Sequence, residues 1–216
     1  LSLPMATKSG ERLSVADSLF TATSATCVTG LVVTDTGTRF SPFGRWIIFL
    51  LFQAGGLGIM TFSTLFAVLL GRKIGFVETD AIKVTLDKQN ILGLKKLITY
   101  ILGITFMTEI IGASALFFRW KNITDWSTLK ILEQSIFHSV SGFCNAGFSL
   151  LKTSLMGFST DPVINITMML LIFLGGIGFI VIMDLIGLFT KKGVKRRISL
   201  QSKVVLASSI ALILIG

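Results

Sequence analysis

The sequence predicts an all-α membrane protein in which a helix–re-entrant hairpin–helix unit is repeated in tandem. Three observations predict it. The composition leaves too few polar residues to cover a globule: of 216 residues, 52% are hydrophobic, a further 21 are glycine and 14% are charged. An average soluble chain carries about 25% charged residues. Three apolar runs, over residues 46–70, 97–118 and 163–189, reach the length of about 20 residues that the hydrocarbon core of a bilayer requires. The segments outside these runs match one another at a fixed spacing, the mark of a duplicated unit.

The first run is interrupted only by Gln53 and small hydroxyl residues, the second carries Glu109, and the third carries Asp184 near its far end. A fourth apolar stretch, 204–216, starts like a span but has only 13 residues. At the other end, Leu1-Ser2-Leu3-Pro4 reads as the exit of a preceding apolar segment, with no signal-peptide pattern. The chain is therefore expected to be an internal piece of a longer protein. Stretches 71–96 and 190–203 hold 12 of the 20 basic side chains, which by the positive-inside rule places them in the cytoplasm. The runs starting at 46 and 163 then point inward, and the run starting at 97 points outward. On this reading the net charge of +9 encodes orientation, and the 191–197 cluster anchors headgroups rather than nucleic acid.

The repeat is explicit. Residues 18–31 align without gaps on 135–148 at an offset of 117, pairing Ser24 with Ser141, Cys27 with Cys144 and Gly30 with Gly147. Pro42 and Pro162, and the Gly55-Gly56-Leu57-Gly58 and Gly175-Gly176-Ile177-Gly178 motifs, repeat at an offset of 120. A three-residue insertion between hairpin and helix reconciles the two offsets. Both copies run the same way, so the repeat is parallel, about an axis along the membrane normal.

Each unit reads as an outward helix, a hairpin and an inward helix. Short helices are expected over 14–26 and 128–143, from apolar residues at helical spacing (Val15, Leu19, Ala22; Leu132, Ile136, Val140). Ser14 with Asp17 resembles a capping box with Asp in place of Glu. Twelve helical residues rise about 18 Å, roughly half of the bilayer core. The chain then turns at Gly30 or Gly147, residues free to adopt a positive φ, and returns along a hydroxyl-rich strand. Irregular backbone at that depth is tolerated where it is buried in protein or lines a water-filled cavity; a structural plug and a lining both fit, and two copies with the same glycine favour the lining. The negative end of each short helix points at the bilayer centre. Rings of backbone carbonyls replace the hydration shell of a monovalent cation. Neither hairpin tip carries a carboxylate, which argues against a divalent site.

These residues resemble the superfamily of Trk, Ktr and HKT potassium transporters, and most closely the bacterial Ktr-type membrane subunit. The resemblance rests on Ala25-Thr26-Cys27-Val28-Thr29-Gly30-Leu31 and Phe143-Cys144-Asn145-Ala146-Gly147-Phe148-Ser149 as filter loops. It rests also on Gln53-Ala54-Gly55-Gly56-Leu57-Gly58 with Met60-Thr61-Phe62, and on Gly175-Gly176-Ile177-Gly178-Phe179, as inner helices. It covers essentially the whole chain. It implies a pseudo-fourfold cation pore of four helix–pore-loop–helix units, of which this incomplete chain holds two filter loops. Residues 1–73 would be the first unit without its first helix, with pore helix 14–26, filter 27–31 and inner helix 46–70. Residues 74–96 would be a cytoplasmic linker. Residues 97–190 would be the second unit, with pore helix 128–143, filter 144–148 and inner helix 163–189. A basic linker, 191–203, and the start of a third unit, 204–216, would follow.

By the same resemblance, Cys27, Val28, Thr29 and Gly30 with Cys144, Asn145, Ala146 and Gly147 would supply half of a potassium filter through their carbonyls. In plant relatives serine at the first filter glycine is associated with sodium preference, so Gly30 leans towards K+. The family's gate and pore-facing arginine would lie outside this chain. The resemblance further implies a multi-pass protein of the bacterial plasma membrane, with K+ as the transported ion and no organic cofactor. Its partners would be membrane lipid, a second copy in a homodimer, and a cytosolic nucleotide-binding regulatory ring of the KTN/RCK kind.

Among single residues, Glu109 is the most expensive side chain to place in a membrane; pairing between helices is favoured over a place in the ion path. Asp35 fits either a cation-concentrating mouth or a solvated surface. Asp184 is expected to pair with the cytoplasmic basic cluster. His138 suits core hydrogen bonding better than proton sensing. The glycine pairs let helices pack closely, and thinning of a cavity wall also fits them. Two cysteines, Cys27 and Cys144, build no disulfide framework, and no C-x-x-C pair exists. One histidine and no nucleophile at fixed spacing from a base argue against an intramembrane enzyme, and no enzyme activity is expected. The rival functions are a sodium-permeable or poorly selective cation transporter, and a non-conducting membrane scaffold for a cytosolic partner.

Overall fold

The computed structural model describes residues 1–69, 88–190 and 199–215. All extended regular structure there is helical. In chain order the helices are α1 (Val15–Thr26), α2 (Thr36–Arg39), α3 (Pro42–Leu69), α4 (Lys88–Ile123), α5 (Thr128–Phe143), α6 (Pro162–Gly176), α7 (Phe179–Thr190) and α8 (Leu200–Ile215). Eight of the twelve basic residues behind the expected orientation (those at 72, 73, 83, 191, 192 and 195–197) lie outside the described residues.

Two differences from the sequence reading concern helix ends. The outward helix is longer than the apolar run 97–118, because α4 begins at Lys88. The run 163–189 is two helices rather than one: α6 ends at Gly176 and α7 starts at Phe179, with Gly178 at φ +82 between them. A residue in the left-handed region cannot continue a right-handed helix, and glycine takes that conformation without a Cβ penalty.

The chain divides into two compact units, one of Leu1–Gly58 with Thr105–Gly176 and one of Ile59–Ile104 with Ile177–Gly216. In the first unit, aromatic rings tie α3 to α5 and to the segment after it. Phe52 lies edge-on to Phe137 at 5.3 Å and stacks on Phe148 at 6.1 Å. A second cluster, Leu116, Trp120, Ile131 and Ile164, joins α4, α5 and α6. Ion pairs brace the same helices: Arg45 to Glu133 at 3.0 Å, and Arg119 to Asp161 at 2.7 Å.

The part of α4 in this unit is inverted relative to a soluble amphipathic helix. Its inner face is Thr105, Glu109, Leu116 and Trp120, all buried, while Phe106, Met107, Ile110 and Ile111 are exposed. A water-soluble helix would turn those four inward. The arrangement suits a hydrocarbon solvent, where apolar side chains cost nothing outside and ionisable ones turn inward. Consistently, Ile98–Ile123 is long and apolar enough to cross a membrane, and Pro162–Gly176 and Leu200–Ile213 are shorter apolar helices.

In the second unit α7 packs on α8. The Asp184 carboxylate accepts hydrogen bonds from the hydroxyls of Ser199 and Ser202 at the start of α8. An acid beside the first turn of a helix meets the positive end of its dipole. The residues of the 191–197 cluster, with which Asp184 was expected to pair, lie outside the described residues.

Candidate functional site: two matched glycine hairpins

The two hairpins share their turn-forming backbone bonds and a serine tie, while the side-chain cap of the first helix has no counterpart on the second. Ser14 caps α1, its Oγ accepting from the Asp17 amide at 3.0 Å. At the other end the Cys27 amide donates to the Thr23 carbonyl at 2.8 Å, that of Val28 to Ala25 at 3.2 Å, and that of Thr29 to Ser24 at 2.9 Å. After α5 the Cys144 amide donates to Val140 at 2.8 Å, that of Asn145 to Gly142 at 3.1 Å, and that of Ala146 to Ser141 at 2.8 Å. Each of these three backbone bonds in one copy is its counterpart shifted by 117 residues. A serine in each helix ties down the outgoing strand: Ser24 Oγ donates to the Leu31 carbonyl at 2.6 Å, and Ser141 Oγ to that of Phe148 at 2.7 Å.

The backbone turns through two left-handed residues per copy. They are Val28 (φ 49) and Gly30 (φ 77) in the first, and Asn145 (φ 58) and Gly147 (φ 70) in the second. Asparagine tolerates this region, whereas a β-branched valine there is an outlier, costing on the order of 1–3 kcal/mol. Such strain persists only where the surrounding structure over-determines it, and it clusters at functional sites.

This turning leaves a row of free acceptors. The amides of residues 27–29 and 144–146 all point back into their helices. Among the described residues, the carbonyls of Cys27, Val28, Thr29, Gly30, Cys144, Asn145, Ala146 and Gly147 accept no hydrogen bond. The two tips also meet. A Cβ added to Gly30 would lie 3.0 Å from the Ala146 carbonyl oxygen, and one on Gly147 would lie 3.0 Å from the Gly30 Cα.

The inner-helix glycines grip the hairpins from behind. A Cβ on Gly55 would fall on the Thr26 carbonyl oxygen, and one on Gly175 on that of Phe143. Thr26 and Phe143 are themselves counterparts, so the repeat includes this tertiary contact. The loops differ in exposure: Cys144 and Ala146 are buried where Cys27 and Thr29 are exposed, whereas Asn145 and Gly147 are exposed where Val28 and Gly30 are half-buried. Gly56 lies against Cys144, where a Cβ would be 2.7 Å from the sulfur, and the Asn145 amide donates to the Ile172 carbonyl at 3.3 Å.

His138 is fully buried between the Gln134 carbonyl and the Ser149 hydroxyl, each 2.8 Å from a ring nitrogen. Gln134 O can only accept, so Nδ1 carries the proton and Nε2 accepts from Ser149. The residue is thus a core hydrogen-bonding group that holds the strand leaving the second loop. Asp35 caps α2, its Oδ1 accepting from the Thr38 amide at 2.7 Å. The roles of Ser24, Ser141, Val28 and Asn145 in the turns were missed in the sequence. The aligned block already paired Ser24 with Ser141, and that pairing was the available signal.

The family TrkH, described as cation transport protein, matches residues 1–212. The chain is 40% identical over 212 residues to the Ktr system potassium uptake protein B of Bacillus subtilis, covering 98% of this chain and 46% of that protein. It is 40% identical over 216 residues to the potassium/sodium uptake protein NtpJ of Enterococcus hirae, covering 100% of this chain and 46% of that one. It is 37% identical over 216 residues to the Ktr system potassium uptake protein B of Vibrio alginolyticus, again with 46% of the relative covered. The chain spans about half the length of the curated relatives it matches. From end to end of the repeat, then, this chain belongs to the TrkH family of cation transport proteins.

Proposed function

We propose that the protein conducts K+ across the cell membrane through a filter of backbone carbonyls, to which this chain contributes two of four loops. The observation that carries the reading is the row of eight unbonded carbonyls at residues 27–30 and 144–147. Cys144 and Ala146 are buried, and there a carbonyl with no intramolecular partner costs free energy unless something else satisfies it. A dehydrated monovalent cation does so, and the left-handed residues, the serine struts and the helix ends aim the oxygens. Cys27, Val28, Thr29 and Gly30 then line one quadrant and Cys144, Asn145, Ala146 and Gly147 another. Within this reading the hairpins are pore loops, α1 and α5 are pore helices, and α3 and α6 with α7 are inner helices of parallel units. The protein is multi-pass, its basic segments are cytoplasmic, and it acts as a transporter rather than an enzyme. By the resemblance it works as a homodimer with a cytosolic nucleotide-binding partner; three relatives are named as proteins of a Ktr system, which fits a system of more than one component.

The test is uptake by the complete protein in bacterial cells lacking their own potassium uptake. Potassium-limited growth and rubidium uptake are expected to be restored. Gly147→Ser is expected to lower the preference for K+ over Na+, because a side chain at φ 70 must displace a tip that touches Gly30. Unchanged preference in that variant would overturn the filter assignment, and absence of any rubidium flux in reconstituted vesicles would favour a scaffold. A sodium-permeable pore is the second reading, favoured by the 40% identity to a relative named for both potassium and sodium. Sodium uptake equal to potassium uptake in the unaltered protein would select it.

A further inference from the structure

Behind the second loop lies a buried polar chain that the cation reading does not use. Cys144 Sγ donates to Gln53 Oε1 at 3.4 Å, and Gln53 Nε2 donates to Glu109 Oε2 at 3.3 Å. Three elements are joined: the loop after α5, the middle of α3 and the middle of α4. Glu109 is 5% exposed and its other oxygen, Oε1, has no hydrogen-bond partner. Among the described residues it forms no ion pair. Its main chain is held as well, the Ser139 hydroxyl donating to the Glu109 carbonyl at 2.7 Å.

A carboxyl group at that depth with no cationic partner is expensive, and a helix retains one where it has work to do. Cys144 is one of the eight residues whose carbonyls accept no hydrogen bond among the described residues, and its side chain packs directly on α3, where a Cβ at Gly56 would be 2.7 Å from the sulfur. Cys144 is thus hydrogen-bonded to Gln53, and Gln53 to Glu109. In the second copy Phe173 stands at the position matching Gln53, so α6 carries no such amide.

We propose that Gln53 and Glu109 are positioning residues: together they form a hydrogen-bonded strut that holds Cys144, and so tune how tightly the second loop holds the cation. The inference rests on the proposed cation site. It assigns to the outer helix α4 and to the preceding unit's inner helix a part in setting cation affinity. A hydrogen-bonded chain is cooperative, so loss of either member releases Cys144.

The experiment measures initial rates of K+ and Na+ uptake by the complete protein, with the amount in the membrane quantified by immunoblot. Gln53→Met keeps the volume and removes the hydrogen bonds; Glu109→Ala removes the acceptor; Glu109→Gln keeps a hydrogen-bonding group without charge. Gln53→Met and Glu109→Ala are expected to raise the KM for K+ about fivefold or more and to narrow the K+ preference. Vmax per molecule should stay within about twofold. The double variant is expected to be no worse than the worse single one, the sign of a shared interaction, and Glu109→Gln is expected to restore most of the affinity. The strut is overturned if KM stays unchanged in both Gln53→Met and Glu109→Ala, or if the two losses add. It is equally overturned if only the amount of protein in the membrane changes. No K+ uptake by the unaltered protein would instead overturn the cation site itself, which separates the two failures.

Discussion

A methyl group added at Gly55 or Gly175 would fall on the last carbonyl of α1 or α5. Neither helix can yield easily, because each is tied through its serine to the strand that follows. Gly55→Ala and Gly175→Ala are therefore expected to destabilise the protein by about 1–3 kcal/mol, the usual cost of overpacking. Gly58 shares the motif but has nothing within 4 Å of its added Cβ. Gly58→Ala is expected to be neutral or to gain up to about 1 kcal/mol from helix propensity. Thermal unfolding in detergent micelles compares the three; equal losses at all of them would mean that the motif is not divided between contact and space. The same scale explains an asymmetry between the loops. Asn145 occupies its left-handed position comfortably, while Val28 holds the matching one under strain.

Among the elements, α6 shows most clearly how a helix start is fastened. The Asp161 carboxylate accepts from the amides of Val163 and Ile164 at 3.0 and 3.1 Å and pairs with Arg119 of α4 at 2.7 Å. Burial pushes this carboxyl up, but the Ile164 amide, the Arg119 guanidinium and the Val163 amide outweigh it and hold it below the usual carboxylate range. A depressed carboxyl contributes stability above its unfolded value of about 3.9, and that contribution is lost as the pH falls through the lower folded value. Asp161→Asn is expected to unfold earlier than the parent at pH 7, by about 1 kcal/mol or less because Arg119 is partly solvated. The difference is expected to narrow as the pH is lowered towards 3; a constant gap would remove Asp161 from the acid response. In the first copy Ser41 takes the same place, its hydroxyl accepting from the Gly44 amide at 3.2 Å. The capping position was thus duplicated along with the loop, although the two residues share no charge.

At the scale of the whole molecule, two matched hairpins supply two quadrants of the proposed four-loop filter. The isolated 216 residues are accordingly expected to give no K+-selective rubidium flux in vesicles, whereas the complete protein does. Selective flux from the isolated chain would mean that two loops suffice, or that two copies pair to build the ring. The exposed apolar face of α4, with Glu109 turned inward, belongs to the same scale, since it suits an apolar environment rather than water.

Much of this was legible in the residues alone. Composition and run length marked a membrane chain, because burying or exposing apolar side chains is a local, additive effect that a sequence displays directly. The block at offset 117 located both turns and their glycines, because a positive φ restricts residue type at a single position. The break at Gly178 was not legible: glycine inside an apolar run is compatible with helix and with turn alike, and neighbouring packing chooses between them. Likewise no local pattern joins Gly55 to Thr26, or Gln53 to Glu109 and Cys144. These are meetings of residues 29 to 91 positions apart. They exist only once α3, α4 and α5 have packed, because contacts at that separation depend on the whole arrangement rather than on any segment's own preference. The sequence by itself determined the solvent, the repeat and the turns; the tertiary structure decided which groups stand behind the loops and hold their carbonyls free.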